Sequence, residues 1–206
     1  MQKASPNIQS DVNRLRKLLG ILVWTSPAII IPLDLFMIGF FIYIGHTGEM
    51  IDLSNQWWVF IAGFFTWTLV EYLMHRFAFH YEAKAESGKK MIYMLHIIHH
   101  DHPTDSDKLY QPPLVNLVIV ALLFGFIYLI MNNFVFLFLP GIILGYLAYS
   151  TIHYSIHKFK PPFDFLKPIW RHHNLHHYRF QNKGFGVSSP FWDVIFGTMP
   201  PKEIEK

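Results

Sequence analysis

Four long apolar stretches constrain this chain more than anything else in it. They occupy residues 27–45, 57–79, 114–131 and 134–152 and carry few charges. A bilayer core of roughly 30 Å takes about 20 apolar residues of helix to cross, and backbone polar groups in hydrocarbon are satisfied only within helices or closed barrels. The expected fold is therefore an all-α integral membrane protein with about four spans. Composition agrees: 52% of the 206 residues are hydrophobic and 17% aromatic, a share too high for an ordinary soluble fold. The length suits one domain, 1–206. The first stretch is the least regular. Pro27, Pro32 and Asp34 interrupt it, and apolar residues extend back to Leu18, which suggests a kink or a preceding helix in the interface.

The basic residues give an orientation. All seventeen precede the first span, lie between Arg76 and Lys108, or follow the fourth span from Lys158 onward; the connections at 46–56 and 132–133 have none. By the positive-inside rule both termini and the segments 80–113 and 153–206 are expected in the cytoplasm, where they form a helical cap. The net charge of +3 follows from such loops meeting anionic lipid, and no nucleic-acid motif is present. No cleaved signal is expected either: the basic residues at 14–17 precede an apolar stretch broken by prolines. The absence of cysteine excludes disulfides, thiolate metal sites and cysteine nucleophiles.

Histidine is distributed unevenly. Of thirteen, only His46 falls on the expected outer side. Residues i, i+3 and i+4 share a helix face, and His96, His99 and His100 have that spacing, as do His173, His176 and His177, with His153 and His157 four apart at the end of the fourth span. His75 and His80 are five apart. That step rotates about 140° on an α-helix, so either each ring faces a different metal or the helix loosens after Arg76. The ten imidazoles supply about five ligands to each of two metals, and nitrogen-only ligation suits iron, zinc, copper or nickel better than magnesium or calcium. His46, His102 and His172 are out of register and are not expected to be ligands.

Other residues are candidates for supporting roles. Glu71, one turn before His75, is expected to accept from a ligating imidazole or to pair with Arg76, because a carboxylate in lipid needs a partner. Asn174, Asp105 and Asp193 are further candidates for that duty. Lys108 and Tyr110 are candidates to hold a substrate's polar end. Trp57, Trp58, Trp170 and Trp192 read as interfacial anchors. Asp34 either lines a path through the membrane or satisfies backbone freed by Pro32.

The clusters HRFAFH, HIIHH, HYSIH and HNLHH resemble the histidine boxes of the integral-membrane fatty acid hydroxylase and sterol desaturase superfamily. The flanking stretches EYLMHRFAFH, HHDHPTDSDKLYQPP, GYLAYSTIHYSIH and GFGVSSPFWDVIFG are similar to its fatty acid 2-hydroxylase branch, over roughly Trp67 to Thr198. The resemblance implies that the ten histidines hold two iron ions and that dioxygen is the co-substrate. It also implies that a fatty acid or acyl lipid receives a hydroxyl at carbon 2, with R configuration. Imidazole accepts zinc as readily, so a zinc-filled preparation fits the same site. Eukaryotic members usually carry a fused cytochrome b5 domain, which these residues lack, so electrons are expected from a separate ferredoxin or cytochrome b5-type protein with its reductase, and a bacterial cytoplasmic membrane is the expected location. Two readings compete: hydroxylation or desaturation of a carotenoid, sterol or bacterial membrane lipid, and a metal-binding transporter or sensor.

Overall fold

The computed structural model describes residues 7, 8, 10, 11, 14, 26–105 and 109–201. The apolar residues back to Leu18 and the candidate Lys108 lie outside them. Among the described residues all regular structure is helical.

Helix α1 spans Pro27–Thr47, with Ser26 as its cap, the side chain accepting from the Ala28 amide at 3.3 Å. Proline suits the first helical position, where its missing N–H is not needed. The helix runs through Pro32 unbroken. Helix α2, Leu53–Leu73, starts on Asp52, whose Oδ1 accepts from the amide and hydroxyl of Ser54 at 3.0 and 2.6 Å. It passes directly into a π-helical turn at Met74–Phe79. Helix α3 (Glu86–Ile92) likewise leads through a π turn at Tyr93–Ile97 into α4 (Ile98–Asp101). Helix α5 is Pro113–Met131 and α6 is Val135–Lys158; after these come α7 (Lys167–Tyr178) and α8 (Phe191–Ile195).

Three helical stretches are long and apolar enough to cross a membrane: Pro27–Thr47, Leu53–Phe79 and the 46-residue Pro113–Lys158. The third is a hairpin. Phe124 and Phe136 would lie about 18 Å apart on one continuous helix, yet their ring centroids are 5.5 Å apart. The reversal is made at Asn132, whose φ of 48° is in the left-handed region that asparagine tolerates better than most residues. Helix α6 continues beyond the expected end at 152 to Lys158, so His153 and His157 stand on a regular helix.

Helix α6 is the centre of the bundle, with α1, α2 and α5 packed around it. Its closest approach is to α2, where Gly63 and Gly141 leave no room for a side chain: a Cβ on Gly141 would run into the Phe60 carbonyl, and one on Gly63 into that of Phe138. Gly145, one turn on, lies against Trp67. Gly141 and Gly145 form a small-xxx-small pattern, which lets membrane helices approach closely without a hydrophobic driving force between them. The core around this contact includes Met37, Val59, Leu139 and Ile143. Asp34 is fully buried, and its Oδ1 accepts from Asn116 Nδ2 at 2.7 Å, tying α1 to α5.

Candidate metal centre

The α2, α4, α6 and α7 segments converge at one end of the bundle and bring ten imidazoles into two groups. His75, His80, His96, His100 and His176 form the first; His99, His153, His157, His173 and His177 form the second. Within each group one nitrogen per ring lies within 4.8 Å of all the others. The boxes therefore divide between the groups. In α4 and the π turn before it, His96 and His100 serve the first group and His99 the second; on α7, His176 serves the first while His173 and His177 serve the second.

The π turn settles the five-residue problem of His75 and His80. A π turn closes on the fifth residue, and such turns recur at functional sites. The His80 amide donates to the His75 carbonyl at 3.3 Å, and the two Nε2 atoms come to 3.2 Å. The helix loosens after Arg76, and both rings enter one group.

The nitrogen spacing fits a bound ion. His75–His96, His96–His100, His99–His177, His99–His153 and His157–His173 have Nε2 atoms 3.0, 2.9, 3.0, 2.9 and 2.9 Å apart. With metal–imidazole bonds of about 2.1 Å, adjacent octahedral positions are about 3.0 Å apart and tetrahedral ones about 3.4 Å. Five nitrogens per group, with the neighbouring pairs above near octahedral edge lengths, would leave an octahedral ion one further position. The two groups adjoin, with the His100 and His177 rings stacked at 4.0 Å.

Local hydrogen bonds prepare the rings. His75 Nδ1 donates to the Phe185 carbonyl at 2.6 Å and His176 Nδ1 to that of Lys183 at 2.8 Å. Each bond fixes the tautomer and leaves Nε2 unprotonated toward the group. Burial, then the His176 ring, draws His80 down to about 3; burial, then His176 and His80, draws His100 to about 2. Burial also takes His176 to about 4 against the Lys183 carbonyl, and burial with neighbouring rings holds His96, His99, His173 and His177 well below the usual imidazole range. The imidazoles are neutral, the form that binds metal.

The two accepting carbonyls belong to a loop that buried carboxylates hold in place. Asp193 accepts from the amides of Phe185 and Gly186 at 2.9 and 2.8 Å, from the Thr198 hydroxyl at 2.6 Å and from His172 Nε2 at 3.0 Å. Burial raises the Asp193 carboxyl, but these donors outweigh it and leave it below the usual range. Gly184, at φ 72°, supplies the left-handed step between Lys183 and Phe185. Glu71 is placed close to His75 in sequence but bonds elsewhere, accepting from the Val187 and Ser188 amides at 2.7 and 2.9 Å and from the Ser188 hydroxyl. Arg76 donates to the Tyr72 hydroxyl at 2.8 Å rather than to Glu71.

The remaining candidates are dispersed. Asn174 is exposed on α7. Asp105 follows α4, its amide donating to the His102 carbonyl at 3.1 Å. His102 is exposed there, and His46 is exposed in the last turn of α1, far along the chain from either group. His172 is buried against Asp193. Asp34 bonds to Asn116 and not to backbone freed by Pro32. Tyr110 lines a cavity of about 400 Å³ together with His96, His99 and His153, and from there the lining follows Ser150, Tyr149 and Tyr146 down α6 to Ile142. That distance on α6 is about 16 Å. The carbonyls of Lys183 and Phe185, and Asn116 in the cavity wall, are missed by sequence reasoning. The GFG step at 184–186 is the one local signal for the former.

The profile of the fatty acid hydroxylase family matches residues 60–198. Dihydroceramide fatty acyl 2-hydroxylase FAH2 of Arabidopsis thaliana is 34% identical over 178 residues, 86% of this chain and 73% of that one. Fatty acid 2-hydroxylase of Rattus norvegicus is 39% identical over 71% of this chain but only 41% of its own length. Among solved structures, full-length scs7p, of which only the hydroxylase domain is visible, superposes with a TM-score of 0.81 at 27% identity, covering 89% of this chain and 70% of that one.

Proposed function

The chain belongs to the fatty acid hydroxylase family, and on that premise we propose that it hydroxylates a fatty acyl chain at carbon 2, with dioxygen as co-substrate and electrons from a separate donor protein. The ten imidazoles would hold two iron ions. Iron supplies, when bound, the one-electron and dioxygen chemistry that no side chain provides. The carbon-2 reading takes its support from the named relatives, which are 2-hydroxylases of fatty acids or of dihydroceramide acyl chains.

One observation carries the reading: rings of both groups, His96 of the first and His99 and His153 of the second, open on the same largely apolar cavity. An acyl tail lying along α6 between α2 and α5 buries its methylenes against Val70, Ile119, Val120, Leu123, Ile142 and Ile143. Its polar end then stops at the imidazoles. The carbon beside the acyl carbonyl is the first methylene beyond that end, so depth of insertion selects carbon 2. The apolar lining excludes water, while Tyr110, Gln111 and Asn116 offer hydrogen bonds to the head. We further propose four membrane crossings, α1, α2, α5 and α6, with both termini and the segments 80–113 and 153–206 on the cytoplasmic side.

The test is turnover of a labelled acyl lipid under ¹⁸O₂ by iron-loaded protein supplied with a reductant. The expected product carries one ¹⁸O at carbon 2. Unlabelled product, or hydroxylation confined to a sterol or carotenoid offered alongside, would contradict the proposal.

A further inference from the structure

We infer that the acyl lipid reaches the cavity sideways from the bilayer, through a gap between α2 and α5 rimmed by Met74, Leu95 and Ile119. The inference rests on the cavity being the acyl site proposed above.

A residue that lines a cavity and is itself exposed marks where the cavity opens. Met74, Leu95 and Ile119 line it and are 43%, 52% and 37% exposed. They come from the end of α2, the π turn before α4 and the second turn of α5. All three are apolar. Among the described residues the lining beside the imidazoles is buried, with His99, His153, Leu109 and Tyr110 exposed by only 2%, 4%, 6% and 6%.

The packing explains the gap. Helices α2 and α5 both rest on α6 and, among the described residues, are packed far less closely on one another. The groove between them has α6 as its floor, and Ile142, Ile143 and Tyr146 of α6 appear in the cavity lining. Outside the rim, Leu73 and Leu122 extend the apolar surface at 38% and 70% exposed. Among the described residues the one acidic group in the lining, Glu71, is committed to Val187 and Ser188. A mouth facing water would put a continuous apolar rim in contact with it at a steep cost, whereas the same rim against lipid tails costs nothing. The opening thus fits an acyl chain already dissolved in the membrane, which slides in tail-flank first without its methylenes crossing water.

The chain has no cysteine, so single labels can be placed cleanly. Met74→Cys and Ile119→Cys, each carrying a nitroxide in full-length zinc-filled protein in phosphatidylcholine bilayers, are expected to collide more with dissolved oxygen than with a water-soluble nickel chelate. The opposite preference at both positions overturns the inference, whatever the protein's activity. In iron-loaded protein, a reducible dithiol-reactive bridge between the same two cysteines is expected to lower turnover of a bilayer-resident acyl lipid about tenfold or more, as when access becomes limiting. Metal content should be unchanged and reduction should restore the rate. Turnover indifferent to the bridge also overturns it. Absence of any acyl hydroxylation by the cysteine-free parent would instead defeat the proposed function, and the nitroxide result would still report which medium the rim faces.

Discussion

His75 and His80 stand five residues apart in sequence, yet their Nε2 atoms are 3.2 Å apart because the helix between them is wound as a π turn. On an α-helix a four-residue step would also return both rings to one face, while a six-residue step would not. Deleting Ala78 is therefore expected to spare metal binding at the first group better than inserting an alanine at the same point. Metal per chain, measured after dialysis, decides; equal loss in both variants would show that ring pairing is not what the π turn serves.

Asp193 and the first group are linked through the Phe185 carbonyl. Asp193→Asn keeps the size but weakens the hold on the Phe185 and Gly186 amides, which aim that carbonyl at His75. Groups that orient a ligating imidazole are typically worth about 10- to 100-fold in metal affinity. Titration should show the first group weakened by about that factor and the second group unchanged. An equal effect on both would argue for general destabilisation.

The local part of this geometry is legible in the sequence, and the long-range part is not. The apolar stretches and the i, i+4 pairs His153–His157 and His173–His177 are local patterns, and local geometry preserves them. The division of HIIHH and HNLHH between two groups depends on where α4 and α7 sit relative to α2 and α6, which no spacing within a box encodes. The partners of His75 and His176 are backbone carbonyls, and every residue has one. Glu71 was expected beside an imidazole from its helical position. Its bonds instead run to Val187 and Ser188, more than a hundred residues away in sequence. The close approach of Gly141 to Gly63 is likewise set by how α6 packs on α2, which neither segment encodes alone.

Acid should loosen the metal groups. His80, His100 and His176 titrate near 3, 2 and 4 in the fold because burial disfavours their charged forms, against about 6.5 in an unfolded chain. Below that value the unfolded state binds protons that the folded state refuses, so stability is full above about pH 6.5 and falls as pH drops toward 4 and below. Thermal midpoints of detergent-solubilised protein between pH 7.5 and 4.5 should decline. A flat profile would place these rings in water.

Gly141 has the Phe60 carbonyl where a Cβ would be. Gly141→Ala must push α2 and α6 apart, at a cost of about 1–3 kcal/mol typical of overpacking. A lowered unfolding midpoint is expected, whereas Gly125→Ala, with nothing near its Cβ position, should not lower it.

Asp34 and Asn116 tie α1 to α5 through a bond of 2.7 Å. Asn116→Leu strands a buried carboxyl and should cost about 2 kcal/mol or more. The double replacement Asp34→Leu with Asn116→Leu removes both polar groups and should recover part of that loss. A double variant no more stable than Asn116→Leu would show that the stranded carboxyl is not the cause.

Metal content per chain bears most directly on the two-group assignment. Protein purified from iron-supplied cells should hold two metal ions per chain, and His46→Ala should hold the same two; His99→Ala and His173→Ala, each missing one of the five rings of the second group, should hold fewer. Equal metal in all four proteins, or none in the parent, would contradict the account.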